Sequence, residues 1–326
     1  MVGPNASGKT NLLEAILVLA RGSSYRARDI DLIKFQKPWA RLEGLYDGHS
    51  RVLKLQKDKI PLKAFDIDGK AYNRLTHANR LPIVLFEPNH LQLLSGSPER
   101  RRSYLDDFLE QLVAEYGPLQ RKYVRVLAQR NALLKQTGHH NSEQLFPWNI
   151  RLSQLAGQLV KHRNQLVNKI NQNLATIYSE LSGSDVKLSI QYKPQLPVDG
   201  FESHHLQKLE KNLGDDINSG FTAFGPHRDD FSLLYNNHPA AVAASRGEMR
   251  TGILALKITE LEVVEEQTGH TPIFLLDDVF SELDGHRRRA LSEKLEAGQS
   301  FITTTDADVA IKQLAGRCNV IALNQN

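Results

Sequence analysis

Residues 3 to 10 read GPNASGKT, which places two glycines, a lysine and a threonine at the spacing of a phosphate-binding loop. Gly3 and Gly8 allow the backbone to curl until successive amides converge on one phosphate group. Lys9 can then reach the phosphate oxygens, and the Thr10 hydroxyl can ligate Mg²⁺. The helical run that follows presents its positive N-terminal end to the same point. We therefore expect a site for ATP and Mg²⁺.

The loop as a whole is expected to contact the nucleotide. The residues are Gly3, Pro4, Asn5, Ala6, Ser7, Gly8, Lys9, Thr10 and Asn11. A glycine-rich turn before a helix is the alternative interpretation of the same letters. Folds that use such a loop have a β-strand before it, whereas only Met1 and Val2 precede it here. This predicts an N-terminally truncated chain.

A second motif, which is acidic, lies near the C-terminal end, where residues 273 to 284 read IFLLDDVFSELD. Four apolar residues indicate a buried parallel strand that ends in two carboxylates. Asp277 is the expected second Mg²⁺ ligand, and Asp278 stands where ATPases of the ABC class carry the carboxylate that orients or deprotonates the attacking water. A strand ending in an acidic turn is the alternative. In the next β-rich run, Thr305 occupies the place of the histidine that usually senses the γ-phosphate in that class.

Residues 244 to 260 predict a helix with Ser245 as N-cap and Glu248 completing a capping box. Its position before the acidic strand resembles an ABC signature, in which a serine and the amides of a helix N-terminus bind the γ-phosphate held by another subunit. Ser245 and Gly247 therefore join the expected nucleotide contacts.

Several stretches together resemble the RecF family of bacterial recombination mediators, in wording and in order. They are GKTNLLEAI (8–16), SSYRARDIDLI (23–33), GSPERRRSYLDDFL (96–109), FGPHRDD (224–230), SRGEMRTGILALKITE (245–260) and LLDDVFSELD (275–284). The chain departs from that family at Glu248, where glutamine is usual, and at FEPNH (86–90), where FSPED is typical.

This resemblance implies an ABC-type dimer that closes as an ATP-dependent clamp on duplex DNA near single-stranded gaps and opens on hydrolysis. Lys9, Asp277 and Asp278 would be the catalytic set, with Thr10 and Asp277 holding Mg²⁺. The short Asp278 and Thr305 predict slow turnover. The resemblance also implies RecR- and RecO-type partners and a role in recombinase loading. Two alternatives remain: another ABC-type ATPase, or a DNA-binding or structural relative that lacks hydrolysis.

Composition restricts the class of protein. A single cysteine, Cys318, excludes a disulfide framework and a cysteine-based zinc site. No apolar stretch has membrane-spanning length, so we expect a soluble cytoplasmic protein. The net charge of +4 and the pI near 9.0 agree with a polyanionic partner without naming it.

The order of motifs predicts an α/β fold, an ABC-type P-loop ATPase domain with a mixed β-sheet, interrupted by a mostly helical second lobe. We expect the first part of the ATPase lobe at 1–104, the helical lobe at 105–221 and the rest of the ATPase lobe at 222–326. Within the helical lobe, leucines and isoleucines recur every three or four residues over 145–182. Gly117 and Pro118 are expected to separate two helices.

Clusters of basic residues are the expected DNA contacts, through salt-sensitive binding to the phosphate backbone. The candidates are Arg100 and Arg101, then Arg121, Lys122 and Arg125. Arg102 and Arg287 to Arg289 also stand in basic runs. A solvated face is the common alternative, and for the first group so is an internal ion pair with Asp106 and Asp107.

Two further groups of ionisable residues stand out. His227, Arg228, Asp229 and Asp230 crowd into one turn of the GPHRDD motif, which favours a site near the nucleotide or a domain interface. The pairs His139/His140 and His204/His205 lack partners at metal-ligand spacing, so we expect exposed histidines there.

Overall fold

The computed structural model describes residues 1–58, 61–136, 142–279, 283–295, 298–305 and 318–323, with the backbone alone at position 142. The helices are α1 (Lys9–Arg21), α2 (Gln92–Ser95), α3 (Pro98–Leu112), α4 (Tyr116–Leu134), α5 (Ser142–Ser182), α6 (Phe201–Lys211), α7 (Leu213–Ser219), α8 (Ala240–Ala243), α9 (Arg246–Thr268) and α10 (Gly285–Lys294). The strands are β1 (Trp39–Tyr46), β2 (His49–Gln56), β3 (Leu62–Ile67), β4 (Lys70–Tyr72), β5 (Ile83–Phe86), β6 (Leu188–Lys193), β7 (Asp230–Tyr235), β8 (His238–Pro239), β9 (Ile273–Asp277) and β10 (Ser300–Thr303).

The chain divides into two compact units. The first contains residues 1–90 and 260–326, and the second contains 91–259. The boundaries expected at 104 and 221 both fall inside the second unit. The reason is that α3 packs with α4 and α5, while β7 pairs with β6 along its whole length. Residues from both sides of each expected boundary therefore share one core.

In the first unit, α1 follows the phosphate-binding loop and packs against a parallel sheet with the order β10-β9-β5. Every residue of β9 is buried, as the apolar run predicted. The shared core consists of Leu13, Leu17, Ala20, Ile83, Ile273 and Leu275. Ahead of the loop, Val2 forms parallel bridges with Thr304 and Ala322. Buried packing thus fixes the loop beside the carboxyl ends of β9 and β10.

An antiparallel sheet with the order β1-β2-β3-β4 belongs to the same unit. Its buried side chains Leu53, Leu55 and Phe65 form a second core with Val18, on the other side of α1, and with Ile33 and Leu75. The predicted D-G turn joins β3 to β4, with Asp68 at φ 50° and Gly69 at φ 81°. Positive φ at both turn residues matches the right-handed twist of the strands. Helix α1 therefore has apolar contacts on two sides.

The second unit is built around α5, a single helix of 41 residues that contains the predicted heptad-like run. The leucines and isoleucines of that run form its buried stripe and are at most 3% exposed: Leu152, Leu155, Leu159, Leu166, Ile170, Leu174, Ile177 and Leu181. Helices α4 and α6 pack on α5, as does β6 of the antiparallel sheet β6-β7-β8. The period of three and four residues in this run predicted its buried face correctly.

Two helix boundaries in this unit follow from proline. Pro98 is the first residue of α3, after Ser97. Helix α3 ends at Leu112 and α4 begins at Tyr116, so Gly117 and Pro118 lie in the first turn of α4. A first-turn proline is tolerated because its missing N–H has no partner within the helix. Within the described ranges, no helix is long and apolar enough to cross a membrane.

Candidate nucleotide site

The phosphate-binding loop has the backbone that its glycines predict. Gly8 has φ 91°, in the left-handed region, and a Cβ there would meet no atom of the described residues within 4 Å. Gly3 is required for a different reason, because a Cβ would lie 2.4 Å from the Leu323 carbonyl oxygen and 2.7 Å from Ser7 Oγ. Between the two glycines, Pro4, Asn5 and Ala6 are exposed. Steric limits at both glycines therefore shape a loop whose outer side is open.

Lys9 is 7% exposed, and its Nζ donates hydrogen bonds of 2.8 Å to the carbonyl oxygens of both Gly3 and Pro4. These contacts hold the ammonium group over the loop in which phosphate oxygens are expected. A buried ammonium group requires acceptors. The two carbonyl oxygens therefore hold the Lys9 ammonium group at the position where a phosphate is expected.

Thr10 and Asp277 meet as the sequence predicted. Thr10 Oγ1 donates to Asp277 Oδ1 at 3.1 Å, and Thr303 Oγ1 donates to the same oxygen at 2.6 Å. Asp277 is 8% exposed at the end of β9. A hydroxyl and a carboxylate are the oxygen donors that Mg²⁺ prefers. These residues fit a Mg²⁺–nucleotide complex, since hard oxygen ligands and an ammonium group converge on one glycine loop.

Asp278, the second carboxylate, has a backbone φ of 51° and is partly exposed. Its N–H donates to Thr303 Oγ1 at 2.9 Å. Left-handed backbone at a residue other than glycine is uncommon and marks strain that the surroundings impose. Thr305 is exposed just beyond β10. Phe280, Ser281 and Glu282 of the acidic motif lie outside the described residues.

A second group of contacts, which the sequence motifs did not predict, ties the segment after α1 back to α1 itself. Arg26 donates to Glu14 Oε2 at 2.7 Å and to Asn11 Oδ1 at 2.8 Å. Glu14 also accepts a short hydrogen bond from Ser24. Burial raises the pKa of Tyr25, and the carboxylate of Glu87 raises it further. Ser24 and Arg26 belong to the stretch SSYRARDIDLI that resembles the family, but the sequence did not show that their hydrogen-bond acceptors lie on α1.

The predicted capping box is present at the start of α9. The Ser245 N–H donates to Glu248 Oε2 at 2.7 Å, and the Glu248 N–H donates to Ser245 Oγ at 3.3 Å. Ser245 and Gly247 are both exposed. The residues of the signature-like motif therefore form a helix N-terminus that is open to solvent, where donors suited to an anion lie.

The basic residues of α3 have different environments. Arg100 is exposed, whereas Arg101 has a side chain only 13% exposed and binds both carboxylate oxygens of Asp230 at 2.6 and 2.9 Å. Arg102 donates to the Asp229 carbonyl oxygen. The alternative of an internal ion pair holds for Arg101, with Asp230 as the partner, while Asp106 accepts a hydrogen bond of 2.9 Å from Arg163. Arg101 is thus committed to the fold, which weakens the prediction that it contacts DNA.

Three basic residues in the first half of α4 point to solvent, whereas Arg130 of the same helix is fully buried and pairs with Asp216. Arg121, Lys122 and Arg125 are all exposed, and Arg121 makes an ion pair of 3.5 Å with Glu110. In α10, by contrast, Arg287 pairs with Asp284, whose side chain caps that helix. Among these clusters, the exposed face of α4 is the one suited to a phosphate backbone.

The GPHRDD turn is an internal network of the second unit. Asp229 accepts from Tyr192 Oη and from the Gln195 N–H, and His227 Nδ1 lies 2.6 Å from Tyr123 Oη. Burial lowers the pKa of His227 to about 4. Burial would raise the pKa of Asp230, but the hydrogen bonds from Arg101 and from the Phe231 N–H keep it below its ordinary value. Partners within the second unit therefore balance both aspartates of this turn, and the site expected near the nucleotide or a domain interface stays a prediction.

The histidine pairs differ from expectation at one position. His205 is fully buried, between Ser153 Oγ at 3.0 Å and the Phe224 carbonyl oxygen at 3.1 Å, whereas His204 is exposed. Helix periodicity explains the difference, because neighbouring residues face different sides of α6. His139 and His140 lie outside the described residues. Across the part of the chain that the structure describes, no cluster of three potential metal-ligating residues occurs.

Comparison with known proteins gives a consistent family. The chain is 34% identical over 331 residues to a protein named DNA replication and repair protein RecF from Heliobacterium modesticaldum, covering 98% of this chain and 89% of that protein. It is 37% identical to the protein of the same name from Lactobacillus gasseri, covering 94% and 86% of the two chains. No protein-family model matches the chain.

A solved structure described as the recombination mediator protein RecF-ATP in the RecFOR pathway superposes with a TM-score of 0.83. Its sequence is 32% identical, and the match covers 94% of this chain and 86% of that one. The predicted fold class, an α/β ATPase of the ABC type with a mostly helical second lobe, is thereby confirmed. By sequence and by fold, this chain belongs to the RecF family.

Proposed function

We propose that this protein is an ATP-dependent DNA-binding protein of recombinational repair with weak ATPase activity. The observation that carries the proposal is the convergence of Lys9, Thr10 and Asp277 at one glycine loop. Relatives named for DNA replication and repair, and a similar structure described with ATP, support the same function. They also support ATP as the ligand of the loop.

The chain's own residues have separate roles in this proposal. Lys9 would exchange its carbonyl acceptors for phosphate oxygens, and Thr10 and Asp277 would hold Mg²⁺. When bound there, Mg²⁺ would neutralise the charge that develops on the transferred phosphoryl group. Asp278 orients the attacking water and accepts its proton. Pro4, Asn5 and Ala6 are exposed on the outer side of the loop, where they would contact the nucleotide.

The second part of the proposal is an ATP-dependent homodimer. Ser245 and Gly247 present an exposed helix N-terminus, which is a binding site for a negatively charged group. A partner subunit's nucleotide would supply that group, so two nucleotides join a two-fold dimer. Hydrolysis removes the γ-phosphate contacts and opens the dimer. Asp278 is one methylene shorter than glutamate, so we expect slow turnover.

DNA is the partner that the dimer is proposed to enclose, as duplex beside a single-stranded gap. The exposed Arg121, Lys122 and Arg125 of α4 would contact its phosphates. Arg100 can join them, whereas Arg101 would first have to leave Asp230. RecR- and RecO-type mediators are the proposed protein partners in loading a recombinase, and a cytoplasmic location follows from the DNA substrate.

Lys9→Ala tests the nucleotide part of the proposal. Wild-type protein should dimerise when ATP and Mg²⁺ are added, as measured by sedimentation velocity, and Lys9→Ala should stay monomeric. Lys37→Ala, a change of another lysine in the same unit but on the exposed surface, is the matched control. Identical behaviour of wild type and Lys9→Ala would contradict an ATP-dependent clamp and favour a DNA-binding relative without ATPase activity.

The DNA part needs its own measurement, the salt dependence of binding to a gapped duplex. Replacing Arg121, Lys122 and Arg125 by alanine should reduce the slope of log K against log salt by about 1 for each lost phosphate contact. A control that removes equal charge replaces the exposed Lys34, Lys37 and Lys70 of the first unit. Equal slopes for the two triple variants would reject α4 as the DNA-binding face.

A further inference from the structure

Thr303, the last residue of β10, lies between the two acidic residues of the site. It is fully buried, and its hydroxyl donates to Asp277 Oδ1 at 2.6 Å while accepting the Asp278 N–H at 2.9 Å. The Leu276 carbonyl oxygen lies farther away, at 3.4 Å. A hydroxyl has one proton to donate, and the shorter distance assigns it to Asp277. One buried hydroxyl therefore contacts both acidic residues.

The contact with Asp277 sets which carboxylate oxygen is left for a metal. Thr10 and Thr303 both donate to Oδ1. In the described part of the chain, the hydrogen bonds to the Asp277 side chain reach only that oxygen, so Oδ2 remains for Mg²⁺ or its water. If Thr10 turns its hydroxyl to the metal, Thr303 is the donor that continues to orient the carboxylate. Partners behind a metal ligand fix its orientation in this manner.

The contact with Asp278 acts on the backbone. Asp278 has φ 51°, a conformation that a residue other than glycine adopts only when its surroundings compensate the strain. The hydrogen bond from its N–H to Thr303 Oγ1 fixes the peptide that precedes the side chain of the proposed base. Strand pairing makes this geometry rigid, because Thr303 lies directly opposite Asp277 in the parallel register of β10 and β9.

The same strand end also reaches the phosphate-binding loop. The Thr304 N–H donates to the Met1 carbonyl oxygen at 3.1 Å, and the Thr304 carbonyl oxygen accepts the Gly3 N–H at 3.3 Å. Thr305, the residue in the place of the γ-phosphate sensor, follows immediately. The end of β10 therefore contacts the loop through its backbone and the acidic pair through one side chain.

We infer that Thr303 is a positioning residue for metal-dependent nucleotide binding and hydrolysis, since its hydroxyl aligns Asp277 for Mg²⁺ and Asp278 for water. The inference rests on the proposed function of Asp277 and Asp278. Thr303 is fully buried and would act only through Asp277 and Asp278. A buried threonine that only fills space would require its methyl group rather than its hydroxyl.

That distinction decides the variants. Thr303→Val keeps the shape and the β-branch but removes the hydroxyl, whereas Thr303→Ser keeps the hydroxyl and removes the methyl group. Thr259→Val is the matched control, because Thr259 is also fully buried and its hydroxyl donates to the Ala255 carbonyl oxygen of its own helix. Thermal unfolding of each variant establishes the temperature range in which all are folded.

The first readout is nucleotide affinity with Mg²⁺ compared with affinity in EDTA, measured with a fluorescent ATP analogue. Thr303→Val should reduce the ratio of the two affinities about 10-fold or more, as loss of a partner behind a metal ligand does. Its affinity in EDTA should match that of the wild type. Thr303→Ser should stay within about threefold of the wild-type ratio, which is a small free-energy difference, and Thr259→Val should equal the wild type.

The second readout is steady-state hydrolysis, in which Thr303→Val should lower kcat about 10- to 100-fold with little change in KM. A wild-type affinity ratio and kcat in Thr303→Val would overturn the inference, as would equal losses in Thr303→Ser and Thr303→Val. Asp277→Asn separates this failure from failure of the proposed function. If Asp277→Asn abolishes the Mg²⁺ dependence while Thr303→Val does not, only the role of Thr303 is wrong.

Discussion

The Thr10 hydroxyl donates a hydrogen bond of 3.1 Å to Asp277, across 267 positions of sequence. This contact joins the start of α1 to the end of β9 in the first unit. Each residue lies at the end of an element with a well-packed core, so neither side chain has to search for the other. The site is therefore preorganised before a nucleotide arrives, which lowers the entropic cost of binding.

The two loop glycines should fail for different reasons. Gly8→Ala adds a methyl group in open space but requires a left-handed residue, at a cost of about 1–2 kcal/mol. Gly3→Ala instead drives a Cβ against the Leu323 carbonyl oxygen and Ser7 Oγ. We expect Gly3→Ala to lower both the melting temperature and ATP affinity, and Gly8→Ala to lower mainly ATP affinity. Calorimetry and fluorescence titration measure the two effects.

Gly214 provides the control for both glycine variants. It lies in α7, and within the part of the chain that the structure describes a Cβ there would meet no atom within 4 Å. Gly214→Ala should be neutral or slightly stabilising, because alanine has the higher helix propensity. If all three alanine variants bind ATP as the wild type does, the loop does not bind the phosphates.

Asp278→Asn should separate binding from hydrolysis. Asparagine keeps the size of the side chain but cannot accept the proton of the attacking water, so kcat should fall about 10²- to 10⁴-fold. ATP affinity should change little, because Lys9, Thr10 and Asp277 are intact. Phosphate release measures the first quantity, and sedimentation with ATP should show a dimer that persists longer than that of the wild type. A kcat equal to that of the wild type would exclude Asp278 as the base.

The sequence indicated that Thr10 and Asp277 would share one site, but it did not indicate the residues that hold that site in place. Thr10 and Asp277 belong to local motifs whose chemistry is visible in a few letters. Thr303 was passed over because its role arises from the register of β10 against β9, which places it opposite Asp277. The contacts of Arg26 were not predicted either, because its acceptors Asn11 and Glu14 lie earlier in the sequence, on α1.

The GPHRDD turn shows where a local pattern is less informative. Its four ionisable residues favoured a site near the nucleotide or a domain interface, whereas the residues that pair with its two aspartates are remote in sequence. Arg101 is 129 positions from Asp230, and Tyr192 is 37 positions from Asp229. Periodicity, by comparison, predicted the buried stripe of α5, because the spacing of its leucines and isoleucines along one helix is visible in the sequence itself. Local patterns were thus more informative about helices and motifs than about which charges pair.

Ser245→Asp should distinguish a helix cap from a nucleotide contact. Aspartate is as good an N-cap as serine, so the stability of α9 should be retained within about 0.5 kcal/mol. Its negative charge would, however, repel a phosphate brought by a partner subunit. We expect unchanged thermal unfolding and the loss of ATP-dependent dimerisation in sedimentation velocity. Ser245→Asn, an equally good cap without the charge, is the control. Dimerisation of Ser245→Asp at wild-type ATP concentrations would contradict the trans contact.

His205 should make the second unit sensitive to acid. Burial lowers its pKa from 6.5 to about 4, so the folded state disfavours the protonated ring. Between those two values the unfolded chain takes up a proton that the folded chain does not, and stability falls as the pH decreases, by up to about 1.4 kcal/mol per pH unit. His205→Gln should remove this part of the pH dependence, whereas His204→Gln, at the exposed neighbouring position, should retain it. Urea unfolding at pH 7, 6 and 5 measures how the free energy of unfolding of each variant changes with pH. The same pH dependence in both variants would show that His205 is not the group responsible.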